Sequence, residues 1–546
     1  MKKKLVSILL TMLMVFCAAP FVAFAESCDG GTSCTHEAAI GNEHYATLNG
    51  ALKAANNGDT IIVLKNITLT DYLDYIEKEV TLDLNGKTIE QGASVPESFF
   101  IRNGGKLNVT GSGEIKTNAN TTAPGLFSVR GNATDDPTKT SSLTIGKDVK
   151  VTGMQNENQN LVWVVENPDT KNSSYNVKID IFGTLNGYET IYVNGNIAAT
   201  SGNVPEITLH SGAKIKDKSA YGIYLAGYAK TTIEDGVSIE APNGNAISIA
   251  AGELTIDGGT FKSGKTLGYV EGSGGSIDFE TCCALFVKQH TTNLPLKVTV
   301  NGGTFEAAMP FYQATGQSGT SAAPDKIQLS ITDGTFTSTS SESGAAAVKS
   351  ADKTGFITGG TFSTDPTAYL AEGYQDLENK DGTWSIEPKT LTSIAITVKE
   401  PEIGKTPDYD YTWTVKSKDS GDSRVSFWLK IAKDKYDEDS FEGWEVVGEK
   451  EKFQKDYYYM FVAGFVPGDG YWMGEEEEMT ATINGKEAIV SVVDKSVAYV
   501  IKIYGPLTEK ATTPATGDNS ELGLFAVAGL ISAVGVALLL RRKQSM

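Results

Sequence analysis

Catalysis needs nucleophiles, acid–base groups or metal ligands held at set spacings, and this chain offers few. Cys28, Cys34, His36 and His44 stand in a C-x5-C-x-H-x7-H order near the N-terminus. The two cysteines flank a Gly-containing loop and suit a small disulfide, or two free thiols, in an extracellular setting. With the two histidines they are alternative zinc ligands, in a spacing that matches no common finger. Asp135 and Asp136 in DDPTKT, and His210 in TLHSG, are the other titratable candidates. Work on a glycoside needs paired carboxylates at a fixed separation, and lyase chemistry needs a base beside a group that neutralises a uronate. Between positions 45 and 387 the arginines are Arg102 and Arg130 alone, and His210 reads as an exposed strand-end residue. The expectation is no catalytic residue, no metal and no cofactor, with a glycan-active enzyme as the alternative.

A second set of residues suits binding. Trp163, Tyr192, Tyr224, Phe286 and Tyr312 lie in the short runs LVWVV, TIYVNG, GIYLAG, ALFV and MPFYQA. If Ile191 and Val193 point inward, Tyr192 points out, and the same phase turns the other rings outward with an interruption at Ser248. Strands stacked at about 4.8 Å would line these rings up as a ladder. Flat ring faces suit the C–H faces of sugars. Long loops folded over the same sheet would bury the rings instead, and the sequence leaves both outcomes open.

A ladder requires strands piled in register, and the chain repeats accordingly. LTIDGGTF (254–261), VTVNGGTF (298–305), LSITDGTF (329–336) and GFITGGTF (355–362) continue a series that includes LDLNGKTI (82–89), IDIFGTL (179–185) and ITLHSGAKI (207–215). Alternation makes each a strand, and the glycines make a tight corner. Repeats of roughly two dozen residues, each with a few short strands, describe one coil of a parallel β-helix. Leu254, Ile256 and Phe261 then face a continuous core, with Thr255 and Asp257 outside. Ahead of the coils, Tyr45 to Asp59 carries Leu48, Ala51, Leu52 and Ala55 on one helical face, with Thr47 as N-cap and Gly58 ending the helix. It is an N-terminal cap.

ATLNGALKAANNGDTIIVLKNITL followed by VTLDLNGKTI, with the GGTF repeats and the closing DPTAYLAEGYQDLENKDGTWSI, resembles pectate-lyase-like right-handed parallel β-helices of Firmicute surface proteins. The resemblance covers residues 36 to 387 and implies the fold. The motif sets of polygalacturonase-like enzymes and pectate lyases are absent. After Pro388 the texture changes to alternating strands rich in Trp and Tyr, which read as a small β-sandwich, Ig-like in pattern. DGYWM followed by ATINGKEA resembles the accessory sandwich modules of such proteins. Glu475 to Glu478 read as a solvated loop, or as half of a calcium site.

The ends give the address. Lys2, Lys3 and Lys4, an apolar run and Ala23-Phe24-Ala25 read as a signal peptide over residues 1–25. Leu522 to Leu540 is an uncharged run of 19 residues, about 28 Å as a helix. Arg541, Arg542 and Lys543 follow, and positive charge stays cytoplasmic. Thr513, Pro514, Ala515, Thr516 and Gly517 precede it. This arrangement resembles the LPxTG-like sorting signal of Gram-positive cell-wall-anchored surface proteins, with Thr513 in place of the usual Leu. The resemblance implies that sortase cuts between Thr516 and Gly517 and joins the chain to peptidoglycan. The formal net charge of −20 becomes more negative once both basic ends are removed. Such a surface repels nucleic acid and anionic lipid.

The expected organisation is therefore a signal peptide (1–25), a Cys/His segment (26–44), a capped parallel β-helix (45–387), a β-sandwich (388–506), a linker with the sortase motif (507–521), a transmembrane helix (522–540) and a basic tail (541–546). The expected role is an adhesin for host or dietary glycans or matrix proteins, without catalysis. A passive wall spacer is the third possibility.

Overall fold

The computed structural model describes residues 35–509, apart from 94, 96, 118–124, 154–159, 168–173, 218–220, 272–277, 317–322, 416–424 and 469. The signal peptide, Cys28, Cys34, the residues Thr513 to Gly517, the apolar span and the basic tail all lie outside the described residues. No helix among the described residues is long and apolar enough to cross a membrane. The chain divides into two compact units, one of residues 1–369 with 378–385, the other of residues 370–377 with 386–546.

The first unit is nearly all β. Its strands fall into three long sheets that the chain visits in turn, so a strand's neighbour in a sheet arrives one full circuit later. Gly252–Ile256, for example, pairs in parallel with Lys230–Ile233 on one side and with Leu296–Val300 on the other. These long parallel sheets are consistent with a β-helix. The physical basis is the alternation. Ile61 is in register with Leu82, then Val109, Ile145, Ile181 and onward to Ile331. Each of these side chains is buried. A one-residue slip would turn the whole column out to water, which fixes the register.

The GGTF corner has a specific cause. Gly259, Gly303, Gly334 and Gly360 adopt φ of +107°, +110°, +126° and +102°, a region that costs a side chain strain. Two residues later, Phe261, Phe305, Phe336 and Phe362 point inward and stack, with centroids 4.7, 4.6 and 4.9 Å apart. A Cβ on Gly334 would lie 3.1 Å from the Phe336 ring. Glycine is required both by the turn and by the ring beneath it. Outside, charges pair from rung to rung: Lys106 with Glu79 at 3.0 Å, Lys116 with Glu90 at 3.1 Å and Lys262 with Glu306 at 2.9 Å. Such exposed pairs favour register more than stability.

The end of the core is covered. Leu48–Ala54 is a helix whose N-cap, Thr47, accepts from the Gly50 N–H at 3.0 Å. Leu48, Ala51, Leu52 and Ala55 are buried. The helix stops at Ala54, short of the Gly58 stop read from the sequence, and Gly58 (φ +91°) serves the turn into the first strand. An antiparallel hairpin precedes it: Ala38–Ile40 pairs with Glu43–Tyr45 and also runs antiparallel to Asp59–Val63. The exposed edge of the first sheet is thereby blunted. At the other end, Phe362 opposes Trp384 in an antiparallel pair.

In the second unit, eight strands follow one hydrogen-bonded path. Lys486–Asp494 changes partner along its length, from Thr480–Ile483 to Val497–Tyr504. The core gathers Ile394, Ile396, Trp428, Tyr459, Phe461 and Ile483. Trp428 is fully buried and its indole N–H donates to the Asp408 carbonyl at 3.0 Å. The acidic run is a short 3-10 turn over Glu476–Glu478, with Glu476 accepting from the Val492 N–H at 3.1 Å.

Candidate functional site

The sheet that carries the aromatic residues runs from Glu97–Ile101 to Val348–Ser350. Val162, Ile191, Ile223 and Leu285 fill the core, as do Val164, Val193, Leu225 and Val287. The residue between each pair must therefore lie on the outer face. Pairing runs Ser128, Trp163, Tyr192, Tyr224, Ser248, Phe286, Tyr312, one per rung. The five aromatic residues read from the sequence share one register, with Ser248 as the break.

Exposure divides them. Tyr224, Phe286 and Tyr312 are 7%, 1% and 7% exposed, so the outward ring faces expected for these three are covered. They pack with Tyr221, Cys283 and Met309, and Leu267 leans on the same cluster. Leu267 lies in the long connection between Thr260–Ser263 and Cys283–Val287. That connection spans the wide interval between two GGTF corners, and Leu267 packs on the cluster from it. Trp163 and Tyr192 are only partly buried.

The ladder extends where sequence reasoning did not look. Phe100 is in register with Ser128, and Ile76 bridges to Ile101, which puts Tyr75 beside Phe100. Their rings meet edge to face at 5.4 Å. Tyr75 is 55% exposed and nearby Tyr72 is 61% exposed. Arg102 lies over the Tyr75 ring at 3.6 Å and Arg130 over the Phe100 ring at 4.6 Å. Arg102 also pairs through Nε with Glu77 Oε1 at 2.8 Å. The signal was present but irregular: DYLDYIEK does not alternate, and ESFFI puts two aromatics side by side. The open part of the ladder is Tyr75, Phe100, Trp163 and Tyr192.

Two residues before Tyr192 in the chain, buried Thr190 meets buried Asp217. Asp217 Oδ2 accepts from the Thr190 N–H at 3.0 Å and from its hydroxyl at 2.7 Å. Glu189 adopts φ +50°. Burial, reinforced by the Asp217 charge and opposed by a hydrogen bond from Tyr221, holds the Glu189 carboxyl above the ordinary glutamate range. Burial likewise raises the Tyr192 phenol, with Glu189 and Glu166 adding to it and the Gly195 backbone opposing it.

The remaining candidates are engaged structurally. Asp136 caps a 3-10 turn by accepting from Thr138, and Asp135 accepts from the Asn203 N–H at 3.1 Å. His210 is clamped rather than exposed: Nε2 is 2.9 Å from Asp180 Oδ1, Nδ1 is 3.0 Å from Glu234 Oε1, and the ring lies flat on Phe182 at 4.0 Å. Parallel pairing brings those carboxylates from the two neighbouring rungs. His36 and His44 meet edge to face at 5.8 Å. Among the described residues no group of three or more His, Cys, Asp or Glu side chains is arranged to hold a metal. One open groove of about 440 Å³ lies over the glycine corners, walled by Thr260, Thr304 and Thr335. It offers no ring to a sugar.

Residues 508–545 match the family described as the LPXTG cell wall anchor motif. No curated protein and no solved structure matches the chain. The match supports covalent attachment to peptidoglycan by sortase. The chain is a cell-wall-attached surface protein of a Gram-positive bacterium.

Proposed function

We propose that this protein is a non-catalytic adhesin that binds glycans through the open rungs of its aromatic ladder. In this reading the first unit is a right-handed, pectate-lyase-like β-helix and the second is a β-sandwich. The observation that carries it is the shared register of Tyr75, Phe100, Trp163 and Tyr192 on one outer face, with all four rings at least partly open. Tyr75 to Tyr192 covers five rungs, roughly 19 Å at the spacing of paired strands. That length accommodates a short run of sugars laid along the axis. The anchor follows the coils in the chain, so the ladder belongs to the part displayed beyond the wall.

The test is glycan retention by the 26–516 fragment and its Trp163→Ala/Tyr192→Ala variant. Binding weakened about tenfold or more at an unchanged melting temperature is expected, the scale of losing a buried aromatic contact. Undiminished binding by a folded variant would remove the reading.

A further inference from the structure

The coil region places both of its arginines on one short stretch of one face, in a chain of net charge −20. Arg102 and Arg130 stand one rung apart, each with its guanidinium over a ring of the open ladder, at 3.6 Å from Tyr75 and 4.6 Å from Phe100. Each guanidinium lies close to a ring, and the arginine group is the side chain best matched to a carboxylate. Arg102 spends Nε on Glu77. Glu77 also accepts from Asn103 Nδ2 at 2.7 Å, so the acid is shared between the two donors.

We propose that the Tyr75–Phe100 end of the ladder selects a carboxylate-bearing sugar, with Arg102 and Arg130 taking the carboxylate while the rings take the C–H faces. This specificity rests on the glycan-binding reading above. A neutral glycan gains only the stacking. Charge complementarity argues for this occupant over a cationic peptide, which the two arginines repel.

The experiment compares matched probes by calorimetry on the 26–516 fragment: sialyllactose against lactose, and an oligogalacturonide against the corresponding neutral galactan oligomer. The wild type should bind the acidic member of at least one pair about tenfold more tightly, the scale of one charge-assisted hydrogen bond. That margin should shrink as salt rises. Arg102→Gln and Arg130→Gln should abolish the preference, so that the acidic and neutral members of each pair bind alike. Glu77→Gln, which touches no ring, should widen it by removing the competing carboxylate, and it keeps the test decisive should an arginine variant fail to fold. Equal binding of acidic and neutral probes would overturn the proposal while leaving the adhesin reading intact. An unchanged preference in a folded arginine variant would also overturn it. Loss of both probes in Trp163→Ala/Tyr192→Ala, with the preference present in the wild type, supports both readings. No binding of any probe by the wild type overturns this one, and retention of a cationic peptide instead does so as well.

Discussion

Phe305 lies flat against Phe336, with ring centroids 4.6 Å apart and planes within 3°. The contact joins two corners that are 31 positions apart in sequence, and it repeats above and below with Phe261 and Phe362. The column is therefore a shared core in which each ring is supported by the next rung.

Phe336→Ala removes a fully buried ring with a neighbour on each side. The expected loss is about 3–5 kcal/mol, from transfer and cavity terms together. Gly303→Ala should cost about 1–3 kcal/mol through strain, because φ is +110° and a Cβ would sit 3.2 Å from the Gly259 carbonyl oxygen. Urea midpoints of the purified fragment check both. Wild-type midpoints for either variant would show that the column does not hold the coils together.

Glu189 gives a pH dependence with a defined sign. Its carboxyl is held above the ordinary glutamate range, first by burial and then by Asp217. In the window between the unfolded and the folded value the native state binds more protons, so stability falls as pH rises through it. Glu189→Gln should therefore be more stable than wild type at neutral pH. The difference should vanish in acid, below the ordinary glutamate value. Melting temperatures of both proteins at pH 4 and pH 7 provide the comparison, and a difference that grows toward acid would contradict the assignment.

His210 serves two carboxylates at once, Asp180 and Glu234. His210→Ala leaves both acceptors facing each other without the ring, at an expected cost of about 1–3 kcal/mol. Adding Asp180→Asn should recover part of that loss, since neighbours in one network are not additive. A double-mutant cycle on thermal unfolding measures the coupling. Strict additivity would mean that the clamp contributes nothing as a unit.

Cys282 and Cys283 are 5% and 1% exposed. Cys282 sits at φ +74° just before the strand Cys283–Val287, at the end of the connection that carries Leu267. Both thiols should resist alkylation in the native fragment and react fully in urea, as inert buried cysteines do. Peptide mass spectrometry after iodoacetamide treatment reads the outcome. Rapid native labelling of either would mean that this packing opens.

Much of this was legible because the side-chain period of a strand is two and the corners repeat. Leu254, Ile256 and Phe261 are inward, and Thr47 caps the helix. The shared register of Trp163, Tyr192 and Tyr224 also follows from phase alone. The rest depends on tertiary placement. Strands of three residues, such as Ala38–Ile40 and Glu43–Tyr45, are too short to show a period. The burial of Tyr224 and Phe286 comes from packing with Tyr221, Met309 and Leu267, which the pattern does not specify. His210 looked exposed because its partners, Asp180 and Glu234, lie 30 and 24 positions away.

The wall linkage makes the last prediction, and its chemistry is acyl transfer. If cleavage falls between Thr516 and Gly517 as the resemblance implies, a sortase thiolate attacks the Thr516 carbonyl, the bond to Gly517 breaks, and the amine of Gly517 leaves with the C-terminal segment. A peptidoglycan amine then displaces the thiolate, so an amide replaces an amide and no external energy source is needed. Specificity lies in the side chains that the enzyme reads, and the chain carries Thr513 where the usual motif has Leu. Thr516→Ala should leave the protein in the membrane fraction instead of on mutanolysin-released wall fragments. Thr513→Leu should raise the wall-linked fraction if the general sortase processes the chain, and lower it if a dedicated enzyme reads the threonine. Immunoblots of fractionated cells distinguish these outcomes. Wall linkage of Thr516→Ala at the wild-type level would show that the acyl bond forms elsewhere.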